Sequence, residues 1–280
     1  MANKANRLEV ANRNIAIMKK GKYRVPTGHM SFHTVNIERD LAYMLSNSVY
    51  VPENKKFNIT SKGYPQQTKS DIRQKVEIID ENVVDTIHRL GNTSSVCCLN
   101  FASGIHPGGG YLYGSLAQEE ALCYSSALYE ALAQADLKHE FYDANRAIKS
   151  KLYTSGLIYT KRVPFFRDAD YNFLLKPTYI DVITCPAANA SALSETERKV
   201  LPKVMYNRML SIIDYCVGKA DTLILGAYGC GVFGNDTETI AKYWYDILVR
   251  SGYLHCFKKI VFAIYRDKDK LNVFKRVWGE

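Results

Sequence analysis

At 280 residues, 47% of them hydrophobic, and with a formal net charge of +9, the chain is long enough for one substantial core and basic enough to favour a phosphate-rich partner. No apolar run approaches the roughly 18 residues of a membrane span, and the opening MANKANRLEVANRN lacks the apolar centre of a signal peptide, so a soluble, cytoplasmic protein is expected. Seven cysteines without a C-x-x-C pair argue against a zinc or redox motif and fit free thiols in a reducing compartment.

From Leu8, apolar residues recur at Ala11, Ile15 and Met18, a helical spacing, and Lys19, Lys20 and Gly21 close the segment as a helix C-terminus should. His29 and His33 stand four apart in TGHMSFHTV, but no glutamate follows His29 and the stretch does not read as helix. Loop or strand histidines are expected there rather than a metal site. A second short helix is predicted over IERDLAYMLSNS, and residues 52–74, polar and turn-rich, read as a long surface loop.

From Val76 short apolar runs alternate with longer helical ones: VEIID, ENVVDTIHRLG, SVCCLNFA, QEEALCYSSALYEALAQ, GLIYT, YIDVITCPA, SETERKVLPKVMYNRMLSIIDYCVGK, DTLILGAYG, TETIAKYWYDILVRSG and KKIVFAIY. Strand alternating with helix is the signature of a layered α/β sheet. Ser194 with Glu197 forms a capping box for the long helix. The basic end, KKIVFAIYRDKDKLNVFKR, reads as a solvated face around one buried strand. No linker interrupts the chain, so one globular unit over 1–280 is expected.

Ligands in such sheets gather at the carboxyl ends of strands, and both unusual loops fall there: NFASGIHPGGG after SVCCL, and GAYGCGVFGND after DTLIL. Gly229, Gly231 and Gly234 spell G-x-G-x-x-G, the form of the dinucleotide fingerprint, but only one strand follows and no acidic residue stands near Tyr253 and His255 to hold a ribose. Gly108, Gly109 and Gly110 are not followed by G-K-[ST], so they are no Walker loop. A structural turn accounts for either loop alone; two at one sheet edge can surround a diphosphate and its riboses.

Gln118, Glu119 and Glu120 open a helix. Acidic residues there complement the positive end of the helix dipole, worth about 0.3 to 1 kcal/mol, which is the plain explanation. Adjacent helical side chains point about 100° apart, so the two carboxylates are not expected to face one another across a scissile bond. Two jobs fit better: one glutamate fixing ribose hydroxyls, the other acting as an acid and needing burial or a nearby phosphate to hold its proton.

These residues carry a resemblance. NFASGIHPGGGYLYGSLAQEE resembles the signature of the microbial-type poly(ADP-ribose) glycohydrolases, in which GGG, a short spacer and QEE follow one another; the spacer here is seven residues. GAYGCGVFGND is similar to the same family's second ligand loop, and the N-terminal helix followed by GKY is similar to its accessory segment. The resemblance implies a macrodomain-like three-layer α/β/α sandwich with a mixed central sheet and an N-terminal helical extension, divided into an accessory segment, 1–74, and a catalytic core, 75–280. It implies cleavage of the ribose–ribose O-glycosidic bond of poly(ADP-ribose) to release ADP-ribose, by a monomer without metal or cofactor, in the cytoplasm or, in a eukaryote, the nucleus.

By the same resemblance Glu120 would protonate the departing ribose oxygen and Glu119 would hold the adjoining ribose. Gly108, Gly109 and Gly110 would wrap the diphosphate and the scissile ribose. Gly229, Cys230, Gly231, Val232, Phe233 and Gly234 would close over the other side, with Asn100, Ser103 and Gln118 near the ribose and Phe233 as a stacking ring. Three other readings stand beside it: removal of single ADP-ribose groups from protein or nucleic acid, a module that binds ADP-ribose without cutting it, and a dehydrogenase.

Overall fold

The computed structural model describes residues 3–28, 31–53, 68–91 and 95–279. Helix α1 (Lys4–Lys20) starts on an Asn3 cap and ends where Gly21 takes a left-handed conformation (φ 64°), as the Lys-Lys-Gly punctuation predicts. Strands β1 (Lys22–Gly28) and β2 (Ser31–Asn36) form a separate antiparallel hairpin, which places His33 on a strand; His29 lies outside the described residues. Then come α2 (Glu38–Ser46), β3 (Ser48–Val51) and α3 (Lys69–Lys75).

Two expectations are corrected here. The end of the predicted 52–74 loop is helical: Thr68 and Asp71 cap each other's backbone, a capping box in TKSD that the polar composition concealed. The part over 54–67 lies outside the described residues. The C-terminal basic stretch is more than a strand with a solvated face. After the strand Lys259–Ala263 it folds into an amphipathic helix that buries Phe274 and Trp278 against Phe262.

The remaining elements are β4 (Val76–Ile79), α4 (Val83–Leu90), β5 (Val96–Phe101), α5 (Gln118–Ser125), α6 (Leu128–Leu132), α7 (Ala135–Leu137), α8 (Ala144–Ala147), β6 (Leu157–Arg167), β7 (Phe173–Cys185), α9 (Glu195–Cys216), β8 (Thr222–Leu225), α10 (Thr237–Tyr245), β9 (Lys259–Ala263) and α11 (Lys268–Trp278). The central sheet has seven strands in the order β3-β6-β7-β5-β8-β9-β4. Neighbours from β7 to β4 run parallel, and β3, β6 and β7 pair antiparallel, so the sheet is mixed and packed between helices as a three-layer α/β/α sandwich. The central strands VCCLN and TLIL are buried on both faces, which is why they read as unbroken apolar runs. Residues 1–74 contribute β3, an edge of this sheet.

Strands β6 and β7 reach well beyond GLIYT and YIDVITCPA. Lys161 and Arg162 break the apolar pattern at an irregularity where Arg162 takes φ 51°, and Pro164 follows. The proline is tolerated because the ladder with β3 stops at Thr160, and beyond it that side meets an isolated bridge from Ser126 to Phe165 in place of a strand, with Pro164 lending its carbonyl to Ala127 N. The single helix expected over QEEALCYSSALYEALAQ is two: Ser126 turns extended (φ −142°), bridges Phe165, and its hydroxyl bonds both Leu122 O and Leu128 N.

Helix α1 is fastened to this core by polar contacts. Asn14, 2% exposed, donates to Tyr124 O at 2.8 Å and accepts from Arg167 Nε at 2.8 Å. Tyr111 Oη reaches Ala11 O, and Arg7 Nε reaches Gly114 O. Among the described residues no helix is long and apolar enough to cross a membrane.

Replacing Asn14 by Leu strands the Arg167 Nε donor and the Tyr124 carbonyl in the interior. We expect a loss of about 1–3 kcal/mol, read as a lower urea midpoint at unchanged slope; an unshifted midpoint would contradict this account of the helix.

Candidate active site

Because β5 and β8 are neighbours, the loops that leave their carboxyl ends open onto the same edge of the sheet, and a cleft of about 1110 Å³ lies between them. The turn after β5 runs through Gly108 (φ 65°) and Gly109 (φ 60°) into a short helical turn at Tyr111–Tyr113 and then into α5. Gly109 cannot be replaced without cost on two grounds. Its conformation is left-handed, and a Cβ there would stand 2.5 Å from Glu120 Oε1 and 2.9 Å from Glu119 Oε2.

The two carboxylates therefore converge on one backbone atom, although they are adjacent on a helix. The 100° separation applies to their Cα–Cβ directions; two further bonds let both acids turn toward the glycine. Glu119 is 3% exposed and Glu120 7%. Glu119 accepts from Ser103 N at 2.7 Å and from Asn100 Nδ2 at 3.2 Å. Glu120 accepts from Gly110 N at 2.7 Å and from Ala117 N at 2.8 Å. The second bond is the helix-capping role that its position suggests; the first ties the triple-glycine turn to the helix.

Burial, reinforced by the charge of Glu120, outweighs the bonds from Ser103 and Asn100 and pushes the Glu119 carboxyl up to about 8. Asn100 is fully buried and acts on the cleft through Glu119. Gln118 ties the start of α5 to the end of β5, accepting from Phe101 N and donating to Leu99 O, both at 2.8 Å.

Of the residues named from sequence, Ser103, Gly109, Gln118, Glu119 and Glu120 line one wall of the cleft, and Gly229, Gly231, Val232 and Phe233 the other. Gly231 has open space where a Cβ would stand, and Val232 is 86% exposed. Gly229 (φ 73°) packs against Ala187 and Asn235, and Gly234 (φ 65°) against Ser191, so these two shape the loop. Gly108 packs on Tyr129 and Gly110 on Ser115, shaping the other. Cys230 belongs to the core, its Sγ on Tyr228 O, and is not among the residues lining the cleft.

The structure adds lining residues that no motif announces, among them Lys151, Tyr153, Tyr171, Asn189, Tyr265 and Arg266. They come from loops far apart in sequence. Tyr153 (φ 57°), Tyr171 (φ 70°) and Arg266 (φ 53°) hold left-handed conformations without being glycine, and such strain gathers where surroundings over-determine the backbone. Among the described residues no group of three histidines, cysteines or carboxylates could hold a metal.

A mixed-sheet α/β/α sandwich with a nucleotide-sized cleft at the carboxyl edge of its parallel strands is a macrodomain-like fold. The catalytic domain of the microbial-type PARGs matches residues 11–168. Solved structures agree along nearly the whole chain. The poly(ADP-ribose) glycohydrolase of Thermomonospora curvata is 29% identical with a TM-score of 0.85, covering 98% of this chain and 99% of that one. The same enzyme bound to the inhibitor ADP-HPD gives 28%, 0.83, 97% and 99%. The enzyme of Deinococcus radiodurans in complex with ADP-ribose gives 30%, 0.70, 84% and 96%. No curated protein matches. This chain belongs to the microbial-type poly(ADP-ribose) glycohydrolase family.

The raised Glu119 carboxyl has a consequence for stability. Between the ordinary carboxylate value of 4.5 and about 8 the folded chain keeps a proton that the unfolded chain has released, so this contribution is whole below 4.5 and is lost as pH rises through 8. In Glu119→Gln the loss disappears. The melting temperature of the variant relative to the parent should therefore climb from pH 5 to pH 9, and a difference that stays level across that range would refute the assignment.

Proposed function

We propose that this protein hydrolyses poly(ADP-ribose), breaking the ribose–ribose O-glycosidic bond and releasing ADP-ribose, with Glu120 as the acid. The observation that carries the reading is the convergence of Glu119 and Glu120 on Gly109 inside a cleft large enough for a nucleotide. The relatives support it: the bacterial structures are poly(ADP-ribose) glycohydrolases, one with ADP-ribose and one with an inhibitor bound.

In this reading the diphosphate lies between the Gly108–Gly110 turn and the Gly229–Gly234 loop, whose glycines leave backbone close at hand and, at Gly231, open space. Lys151 and Arg266 at the cleft favour the anionic ligand. Glu119, anchored by Ser103 and Asn100, holds the hydroxyls of the scissile ribose. Glu120 gives its proton to the departing ribose oxygen as the C–O bond breaks, and a water near the diphosphate adds to the oxocarbenium-like carbon, returning a proton to the carboxylate.

Burial, with the charge of Glu120 beside it, keeps a proton on Glu119 near neutrality. The phosphates of the ligand press in the same direction. The cytoplasmic location, or nuclear in a eukaryote, and the monomeric state expected from the sequence accompany this proposal.

The test incubates labelled poly(ADP-ribose), mono-ADP-ribosylated protein and mono-ADP-ribosylated DNA with the parent and with Glu120→Gln. We expect the parent to release ADP-ribose from polymer and the variant to bind ADP-ribose while its turnover falls by about 10²-fold or more. Full turnover by the variant rejects Glu120 as the acid; a parent acting only on the mono-modified substrates rejects the polymer. With the parent, kcat/KM should be level below pH 7 and fall as pH rises through about 8, where Glu119 loses its proton and sets a further buried charge against the anionic ligand. A profile that rises there instead would require the site to work as a base.

A further inference from the structure

Beneath the cleft lies a charge that the proposed chemistry does not use. Arg208, on α9, is fully buried. Its guanidinium donates from Nη1 to Pro186 O at 2.9 Å, from Nη2 to Leu152 O at 2.7 Å and Tyr153 O at 3.1 Å, and from Nε to Ser155 Oγ at 3.4 Å. Among the described contacts each acceptor is a neutral oxygen and none is a carboxylate. Burying an arginine against dipoles alone is expensive, and a well-packed apolar side chain in its place is often no less stable, so fold stability is a poor reason for this residue. What it does accomplish is geometric: a planar fork with fixed donor directions holds two separate loops in one relation.

Those loops form a wall of the ligand cleft. Residues 150–155 bring Lys151 and Tyr153, and the segment after β7 brings Ala187 and Asn189. Asn189 N bonds Lys151 O at 2.9 Å, which joins the two directly. Tyr153 is held at φ 57°, a conformation that an L residue keeps only under restraint, and two of Arg208's bonds bracket it, at its own carbonyl and at the one before.

The Tyr153 ring then stands between the two glycine loops. It lies so close to Gly104 that a Cβ there would come within 2.8 Å of it, and it packs on Phe233 at 6.2 Å between centroids. The segment after β7 also supports the second loop, through Asn235 Nδ2 to Ala188 O at 2.8 Å and Ser191 N to Phe233 O at 3.2 Å.

We propose that Arg208 is a positioning residue of the ligand site, clasping the Leu152, Tyr153 and Pro186 carbonyls so that Tyr153 and Asn189 face the bound ADP-ribose moiety. The inference rests on the functional reading above. It differs from a purely structural role in where the damage falls. Lysine keeps the charge but cannot reach four acceptors in these directions, so Arg208→Lys should loosen the wall, weaken binding of ground and transition states alike, and raise KM at nearly constant kcat.

The experiment measures ADP-ribose binding by titration calorimetry and polymer turnover for the parent, Arg208→Lys, Tyr153→Ala and the double variant. Each single variant should bind ADP-ribose about tenfold more weakly, at full stoichiometry, with kcat within about twofold of the parent, and the double variant should be no worse than either single one. Parent-like binding by Arg208→Lys overturns the inference. So do effects that multiply in the double variant, or a reduced number of competent sites at unchanged affinity, which is what misfolding alone would give. Should Arg208→Lys fail to accumulate as folded protein, Ser155→Ala, which removes one acceptor of the clasp, must weaken binding in the same direction without changing the number of sites; unchanged affinity there is equally fatal. A parent that does not bind ADP-ribose at all would reject the functional reading itself, a distinct result.

Discussion

The close approach of the Gly109 backbone to two glutamate carboxylates is the constraint around which the site is arranged. A turn that tight needs left-handed backbone at successive positions, which only glycine supplies without strain. Once made, it puts Gly110 N within 2.7 Å of Glu120, so the loop fastens to the first turn of α5, while Gln118 fastens that turn to the end of β5. Sheet edge, loop and helix start become one rigid unit. The acids are thereby removed from water together, and it is this shared desolvation that brings a carboxyl group into the neutral range.

Such an arrangement lets an otherwise plain helix-capping interaction also fix a side chain in the cleft. Glu120 uses one oxygen for its own helix and the other for the glycine turn, so its side chain has a single position. Around it the aromatic and polar cleft residues are supplied by loops, and those that carry Tyr153 and Asn189 are tied from below. Carbonyls and a buried guanidinium do the tying.

How much of this was legible in the sequence follows from the range of the interactions. The alternation of strand and helix, the glycine loops after β5 and β8, and QEE at a helix start are local patterns, and each was readable. The extents of β6 and β7 were not, because Lys161, Arg162 and Pro164 obey the demands of a stretch with one neighbouring strand, a fact about topology. The convergence of Glu119 and Glu120 was hidden because it depends on where a distant turn passes. Lys151, Tyr153 and Asn189 carry no motif at all. They become a wall through an arginine in the middle of a long helix, where a charged residue is ordinarily taken for surface.

The strand order has one more outcome. Strands β3 and β4 follow each other in the chain yet occupy opposite margins of the sheet, and β4 pairs with β9, with Val76 beside Ile260. During synthesis on the ribosome, the fourth strand emerges long before the residues that will lie against it, and α1 waits likewise for Arg167, 153 positions downstream of Asn14. Most of the chain must therefore exist before either border is sealed, and long-range parallel pairing of this kind is the class of contact whose loop-closure entropy is paid before its reward arrives.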